Sequence, residues 1–233
     1  MTGTLYLLPT PLGDTDNAWL LPHDRAKILP ITHFIVENAK TARKHLKLLN
    51  INTPIQQVTM AELNEHTDSF RLPELLQPLL DGNNVALMSE AGCPAIADPG
   101  ANLVQLAHRH KIAVEPLVGA SSILMALMVS GANGQKFAFN GYLPADSENR
   151  KNALKTLEKK AKAGETQIFI ETPYRNENML QDAIATLHDT TQLCTATDLT
   201  LATQSIISQS ISQWKTTPLP HLKKRPCVFV IFG

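Results

Sequence analysis

The sequence predicts an α/β fold divided into two lobes. Three observations carry that prediction. Short Ile-, Val- and Leu-rich runs alternate with amphipathic stretches, as strands covered by helices do. The 233 residues correspond to between one and two domains at roughly 150 residues each. The texture of the chain changes near Leu117–Ser122, which divides it into an N-terminal lobe, residues 1–117, and a C-terminal lobe, residues 118–233.

Strands are expected at Thr4–Leu8, Phe34–Glu37, Gln56–Val58, Val85–Ser89, Ala113–Leu117, Ala138–Gly141, Gln167–Glu171, Leu193–Thr197 and Cys227–Phe232, each an apolar run bounded by turn residues. Helices fill the gaps. Arg71–Leu80 is stopped by Asp81-Gly82, and Ala101–His110 is opened by Asp98-Pro99-Gly100. Ser122–Val129 has Ser121 as its cap and closes at Gly131; Glu148–Ala163 closes at Gly164; Asn176–Leu187 completes the set. The polar stretch Thr190–Ser212 has no period and reads as half-exposed strand and loop.

Charge and cysteine usage narrow the class. Twenty-one basic residues balance 21 acidic ones, which argues against broad, sequence-blind nucleic-acid binding but leaves room for a local basic patch. One such concentration exists, the helix with Arg150, Lys151, Lys155, Lys159, Lys160 and Lys162. It reads either as a solvated face or as a phosphate-contacting surface. Cys93, Cys194 and Cys227 are odd in number and widely spaced, so neither a disulfide framework nor a zinc knuckle is indicated and a cytoplasmic location is expected. The N-terminus has no basic region ahead of Pro9, and the uncharged stretch Pro116–Gln135 is interrupted by Gly119, Ser121, Ser122, Ser130 and Gly131, so no signal peptide or membrane anchor is expected. His108 and His110 diverge on one helix, and no metal site is expected.

The common nucleotide, zinc-protease and hydrolase motifs are missing: there is no GxGxxG after the first strand, no GxxxxGK[ST], no HExxH and no GxSxG. What stands out instead is four loops at strand exits, where open α/β sheets bind ligands. Pro9-Thr10-Pro11-Leu12-Gly13-Asp14 is a stiffened turn, and Ser89-Glu90-Ala91-Gly92-Cys93-Pro94-Ala95-Ile96-Ala97-Asp98-Pro99-Gly100 offers small residues and two carboxylates before a helix N-terminus. Leu117-Val118-Gly119-Ala120-Ser121-Ser122 and Glu171-Thr172-Pro173-Tyr174-Arg175 complete the group. Asp98 also reads as an ordinary helix cap.

With these loops assembled, the sequence resembles the tetrapyrrole methylase family of S-adenosylmethionine-dependent methyltransferases, and within it the bacterial small-subunit ribosomal RNA ribose-2′-O-methyltransferase branch. The likeness spans almost the whole chain: Gly3-Thr4-Leu5-Tyr6, the Pro9–Gly13 turn, Asn64-Glu65, Leu72-Pro73-Glu74-Leu75-Leu76, Val85-Ala86-Leu87, the Ser89–Gly100 loop, Val118–Ser122, Gly141-Tyr142-Leu143-Pro144, and Ile168-Phe169 with Glu171–Arg175. The resemblance implies two α/β lobes, each a mixed or parallel sheet flanked by helices, with S-adenosyl-L-methionine in the interlobe cleft. It implies donor contacts from Pro11, Gly92, Cys93, Pro94, Gly119, Ala120, Ser121, Leu199 and Thr200. It also implies a homodimer acting on ribosomal RNA or the small ribosomal subunit.

Methyl transfer to a hydroxyl is an in-line displacement that gains from a proton acceptor, for which Glu171, Glu90 and Glu37 are candidates in that order. Arg175, Tyr174 and Asp98 are the expected substrate contacts. The chain departs from the branch on that side: Val36-Glu37-Asn38-Ala39-Lys40 stands where members usually carry AEDTR, Glu171–Arg175 where they carry ESPHR, and Asp198-Leu199-Thr200-Leu201 where they carry ELTK. A tetrapyrrole or other small acceptor, and a donor-binding protein without turnover, therefore stay open beside the RNA reading.

Overall fold

The computed structural model describes residues 1–15 and 19–233, which form two compact units, 1–121 and 122–233. Unit 1 contains β1 (Thr4–Leu8), α1 (Pro22–Ile28), β2 (His33–Val36), α2 (Ala39–Leu49), β3 (Thr59–Glu62), α3 (Leu72–Leu80), β4 (Val85–Met88), α4 (Gly100–Arg109) and β5 (Ala113–Pro116). Its strands pair in the order β3-β2-β4-β1-β5, all parallel.

A parallel sheet needs crossover helices, and these bury both of its faces. The pleat sorts the strand residues accordingly. Leu8, Phe34, Val36, Ala86 and Met88 pack on one side with Ile28 of α1 and Ala42, Leu46 and Leu49 of α2. Leu5, Ile35, Val85 and Leu87 pack on the other with Leu75, Leu76 and Leu79 of α3 and Leu103 and Ala107 of α4. Pro22 opens α1, while the Asn38 side chain caps α2 by accepting from the Lys40 and Thr41 N–H groups.

Unit 2 contains α5 (Ser122–Ser130), β6 (Phe137–Tyr142), α6 (Ser147–Lys162), β7 (Thr166–Ile170), α7 (Asn176–Thr186), β8 (Gln192–Thr197), β9 (Ser205–Ser210), α8 (Ile211–Trp214) and β10 (Cys227–Phe232). The order is β6-β7-β10-β8-β9, with β6 and β7 parallel and the remaining pairs antiparallel. Its core gathers Leu154, Leu157 and Ala161 of α6 and Met179, Leu180 and Ala183 of α7 around Phe169 and Phe229, whose rings stack 5.2 Å apart. Trp214 is buried there and donates its indole N–H to the Leu193 carbonyl at 2.9 Å. Helix α5 packs on β8, β9 and β10. Among the described residues no helix is long and apolar enough to cross a membrane.

The class is therefore the expected α/β, with one parallel and one mixed sheet. One local expectation moves and another is sharpened. Residues Ile55–Gln57 form a single 3-10 turn and the strand begins at Thr59, because Ile55 and Val58 are spent packing against the α1/α2 side of the core. The serine-rich segment Ser205–Ser210 is a full edge strand, held by its ladder to β8.

Candidate functional site

The parallel sheet sends β1, β4 and β5 out at the same end, and the three exits are tied to one another. Thr10, wholly buried between two prolines, forms a two-way backbone bridge with Gly92, at 2.9 Å from its N–H and 3.1 Å to its carbonyl. Its hydroxyl donates to the Ser89 carbonyl at 3.3 Å, and the Ser89 hydroxyl donates to the Gly92 carbonyl at 3.2 Å. Gly92 has φ +84°, a conformation that favours glycine, and a Cβ there would lie 3.3 Å from Leu12 Cδ2 and 3.6 Å from the Ala120 carbonyl oxygen. Cys93 Sγ lies 3.3 Å from that same oxygen.

Gly119 closes the arrangement by contact. A Cβ there would sit 2.2 Å from Pro9 Cβ and Cγ, so only a glycine lets the β5 exit lie flat on the Pro9 ring. The next turn is held by buried Asp24, which accepts from the Val118 N–H at 3.0 Å, and Trp19 donates its indole N–H to the Pro9 carbonyl at 3.0 Å. Pro11, Gly92, Cys93, Pro94, Gly119, Ala120 and Ser121 are all in unit 1, the first six in or beside these three tied exits; Leu199 and Thr200 lie in unit 2.

Beyond Pro94 the loop is strained. Ala95 and Ala97 both take positive φ, 65° and 61°, at a cost of roughly 1–3 kcal/mol each unless the surroundings impose it. Asp98 braces the first of them: its Oδ1 accepts from the Ala95 N–H and the Gly100 N–H, both at 2.8 Å. Burial pushes the Asp98 carboxyl above the ordinary range against the pull of those two bonds. The side chain thus shapes this loop and takes the first N–H of α4, whose N-cap is Pro99.

Glu37 and Glu90 meet beside it. The Glu90 N–H donates to Glu37 Oε2 at 2.9 Å, and Thr41 reaches Glu90 Oε1 at 3.4 Å. Burial, then the nearby charges of Glu90, Asp98 and Glu65, raise the Glu37 carboxyl. His45 lies close by, its ring edge-on to Trp19 at 5.7 Å, and burial keeps it below the usual histidine range.

In unit 2 the strand-exit residues are held by ion pairs. Glu171 is buried, and its Oε1 accepts from the Thr172 N–H at 2.6 Å and from Arg175 Nε and Nη2 at 3.0 and 2.6 Å. Its Oε2 is buried without a hydrogen-bond partner. Tyr174 is 71% exposed, free to meet a ligand. At the end of β8, Asp198 takes positive φ and accepts from Arg225 Nε at 2.8 Å and Thr203 Oγ1 at 2.7 Å, which sets the turn carrying buried Leu199 and positive-φ Thr200.

Thr10, Ser89, Asp24 and the Asp198–Arg225 pair had no separate signal in the sequence. For Thr10, Ser89 and Asp198 the position of their loops at strand exits is the pointer; Asp24, inside α1, has none. Among the described residues no group of three or more His, Cys, Asp and Glu could hold a metal ion. Burial pushes Cys194 up to about 11 and Cys227 up to about 12, so both remain thiols at neutral pH.

Residues 24–214 match the family model described as Tetrapyrrole (Corrin/Porphyrin) Methylases. The chain is 32% identical to a Vibrio cholerae protein named ribosomal RNA small subunit methyltransferase I, over 98% of this chain and 77% of that one. A Streptococcus pyogenes serotype M6 protein of the same name is likewise 32% identical, over 100% of this chain and 77% of the relative. Among solved structures, the methyltransferase CobJ superposes with a TM-score of 0.66 at 16% identity, covering 100% of this chain and 95% of CobJ, a likeness of fold.

Proposed function

The chain belongs to the tetrapyrrole (corrin/porphyrin) methylase family, and from that premise we propose that it transfers a methyl group to a ribose 2′-hydroxyl of small-subunit ribosomal RNA. It is a methyltransferase whose methyl donor is S-adenosyl-L-methionine. One observation supports the donor site above the rest: the exits of β1, β4 and β5 are tied into a single backbone surface by the Thr10–Gly92 bridge and the Gly119–Pro9 contact. Small-subunit ribosomal RNA as acceptor is taken from the relatives' names; the ribose hydroxyl is what the sequence resemblance implies.

When bound, the donor supplies an electrophilic methyl on a sulfonium sulfur. The chain's own task is to align the reacting atoms and keep water out. Pro11, Gly92, Cys93, Pro94, Gly119, Ala120 and Ser121, with Leu199 and Thr200, are the proposed donor contacts. The fit is physical: a side chain at Gly92 would take up the space between Leu12 and Ala120, so its lack of one leaves main chain open to a flat ring.

Glu171 is the first proposed proton acceptor, through Oε2, the oxygen its ion pair leaves unpartnered. Glu90 and Glu37 follow; burial brings Glu37 nearer the working pH of a general base. Arg175, Tyr174 and Asp98 are proposed to meet the acceptor, Asp98 also bracing its own loop. We also propose a cytoplasmic homodimer, which sedimentation of the purified chain tests.

The deciding experiment offers tritiated donor and small ribosomal subunits from cells lacking the modification. Label should appear in one ribose of the subunit RNA. Tight donor binding with no label in any RNA would overturn the acceptor. Glu171→Gln should lower turnover while sparing donor affinity; unchanged turnover removes Glu171 from the reaction.

A further inference from the structure

We propose that the outward face of α6 is the surface on which the phosphate backbone of the RNA acceptor lies, an inference that rests on the RNA reading above. Lys151, Lys155, Lys159 and Lys162 recur at spacings of four, four and three residues, which places them in one row along the helix. At about 1.5 Å of rise per residue the row runs roughly 16 Å. The opposite face, with Arg150, Leu154, Leu157 and Ala161, is buried. The row therefore cannot turn inward.

The carboxylates that would neutralise such a row are committed elsewhere. Asp182 takes Arg150 at 2.8 Å through Nε and 2.5 Å through Nη2, and reaches Lys151 only at 3.5 Å. Glu158 accepts from the His188 N–H at 2.7 Å and from the Thr191 hydroxyl, which draws it inward, and touches Lys162 at 3.5 Å. Lys155, Lys159 and Lys160 are exposed and form no ion pair among the described residues. The chain's formal charge is balanced overall, so this unpaired cluster is a local excess.

Helix stability explains only part of the row. Cations in the last turn complement the helix dipole, which accounts for Lys159 and Lys162 of the row, and for Lys160 beside it. Lys151 and Lys155 stand in the second and third turns, where that benefit is absent. Exposed Lys136 has its main chain near the end of the helix, its carbonyl accepting from the Thr166 N–H at 2.9 Å two residues past Gly164. A row of flexible ammonium groups without a matching planar pocket suits a polyanionic backbone rather than a single small anion.

The test compares the full chain with the triple variant Lys155→Ala, Lys159→Ala, Lys162→Ala and with the triple Lys→Arg variant at the same positions, using a radiolabelled RNA hairpin titrated at several salt concentrations. Removing three phosphate contacts should lower the slope of log affinity against log salt by about two to three and weaken binding about tenfold or more at low salt. The arginine variant should keep both, and donor binding by calorimetry should be the same in all three.

If the wild type binds the hairpin and methylates small subunits while the alanine variant matches its slope and affinity, the α6 surface is overturned and the RNA reading stands. If the wild type neither binds the hairpin nor labels subunits, the RNA reading fails and the α6 surface falls with it. Loss of binding to phosphatidylserine vesicles with hairpin binding intact would assign the row to a membrane surface and overturn the proposal.

Discussion

The two units hold their strand-exit loops by different means. In unit 1 the loops are fixed mainly by main chain: a backbone bridge between Thr10 and Gly92 and a glycine pressed against a proline ring, with the Asp98 carboxylate holding positive-φ Ala95. In unit 2 they are fixed by charge, through Glu171–Arg175 and Asp198–Arg225, while Arg150–Asp182 joins α6 to α7. Main-chain devices leave the surface open to a flat ligand, and ion pairs leave polar side chains at its edge. The comparison teaches which unit tolerates which substitution.

The largest expected effect separates the units by charge. Asp182→Ala strands Arg150, whose side chain is 7% exposed, and should cost about 3–5 kcal/mol, because an unpaired buried cation is the expensive product of breaking such a pair. Denaturant unfolding checks it. A loss well below 1 kcal/mol would mean that water or the Pro144 and Ala145 carbonyls, which already take Arg150 Nη1, are sufficient.

Next comes a main-chain test in unit 1. Gly119→Ala forces the Pro9 ring to move and should destabilise by about 1–3 kcal/mol, with donor affinity falling in step in a calorimetric titration. Gly134→Ala, where a Cβ meets nothing within 4 Å, is the matched control and should leave thermal unfolding nearly unchanged. Equal effects at both positions would break the proposed contact between the β1 and β5 exits.

The smallest effect is a difference in pH response. Burial and neighbouring carboxylates raise Glu37 in the folded chain, so its contribution to stability is fully present below its unfolded pKa and is lost as pH rises through the folded one. Glu37→Gln should therefore gain stability relative to wild type at neutral pH and lose that gain on acidification. Glu158 has the opposite sign. Burial pushes it up, but the Thr191 hydroxyl, the His188 N–H and Lys162 together hold it below the usual range. Glu158→Gln should cost stability at neutral pH, with the difference vanishing as pH falls through the depressed folded value. Parallel pH profiles for the two variants would remove this distinction between the units.

The same contrast governs what could be read in advance. The loops of unit 1 announce themselves, because positive φ and close backbone approach require Gly and tight turns favour Pro: Gly92, Gly119 and Pro9-Thr10-Pro11 are visible as letters. The ion pairs of unit 2 do not. Asp198 and Arg225 are 27 residues apart, and nothing local marks one as the partner of the other. Glu171 and Arg175, four residues apart across a turn, were legible as a group, but not the fact that one oxygen would be saturated and the other left bare. The edge strands β3 and β9 were blurred for a related reason: their burial is partial, so their apolar period is weak, and the ladder to the neighbouring strand decides their bounds.

By itself the sequence determined the α/β class, nearly all of the central strands, the best-capped helices and the strand-exit loops, because each depends on local periodicity or on residues whose backbone preferences are intrinsic. Only the tertiary structure decided that the exits of β1, β4 and β5 close on one another, that Asp98 holds strained Ala95, that Glu171 keeps a single unpartnered oxygen, and that the lysines of α6 are left without carboxylates. For α6 that means Lys155, Lys159 and Lys160 alone among the described residues, since Lys151 and Lys162 each reach a carboxylate at 3.5 Å; all these outcomes depend on which groups a folded core brings within hydrogen-bonding distance. Sequence separation carries no information about that distance until the sheets have formed.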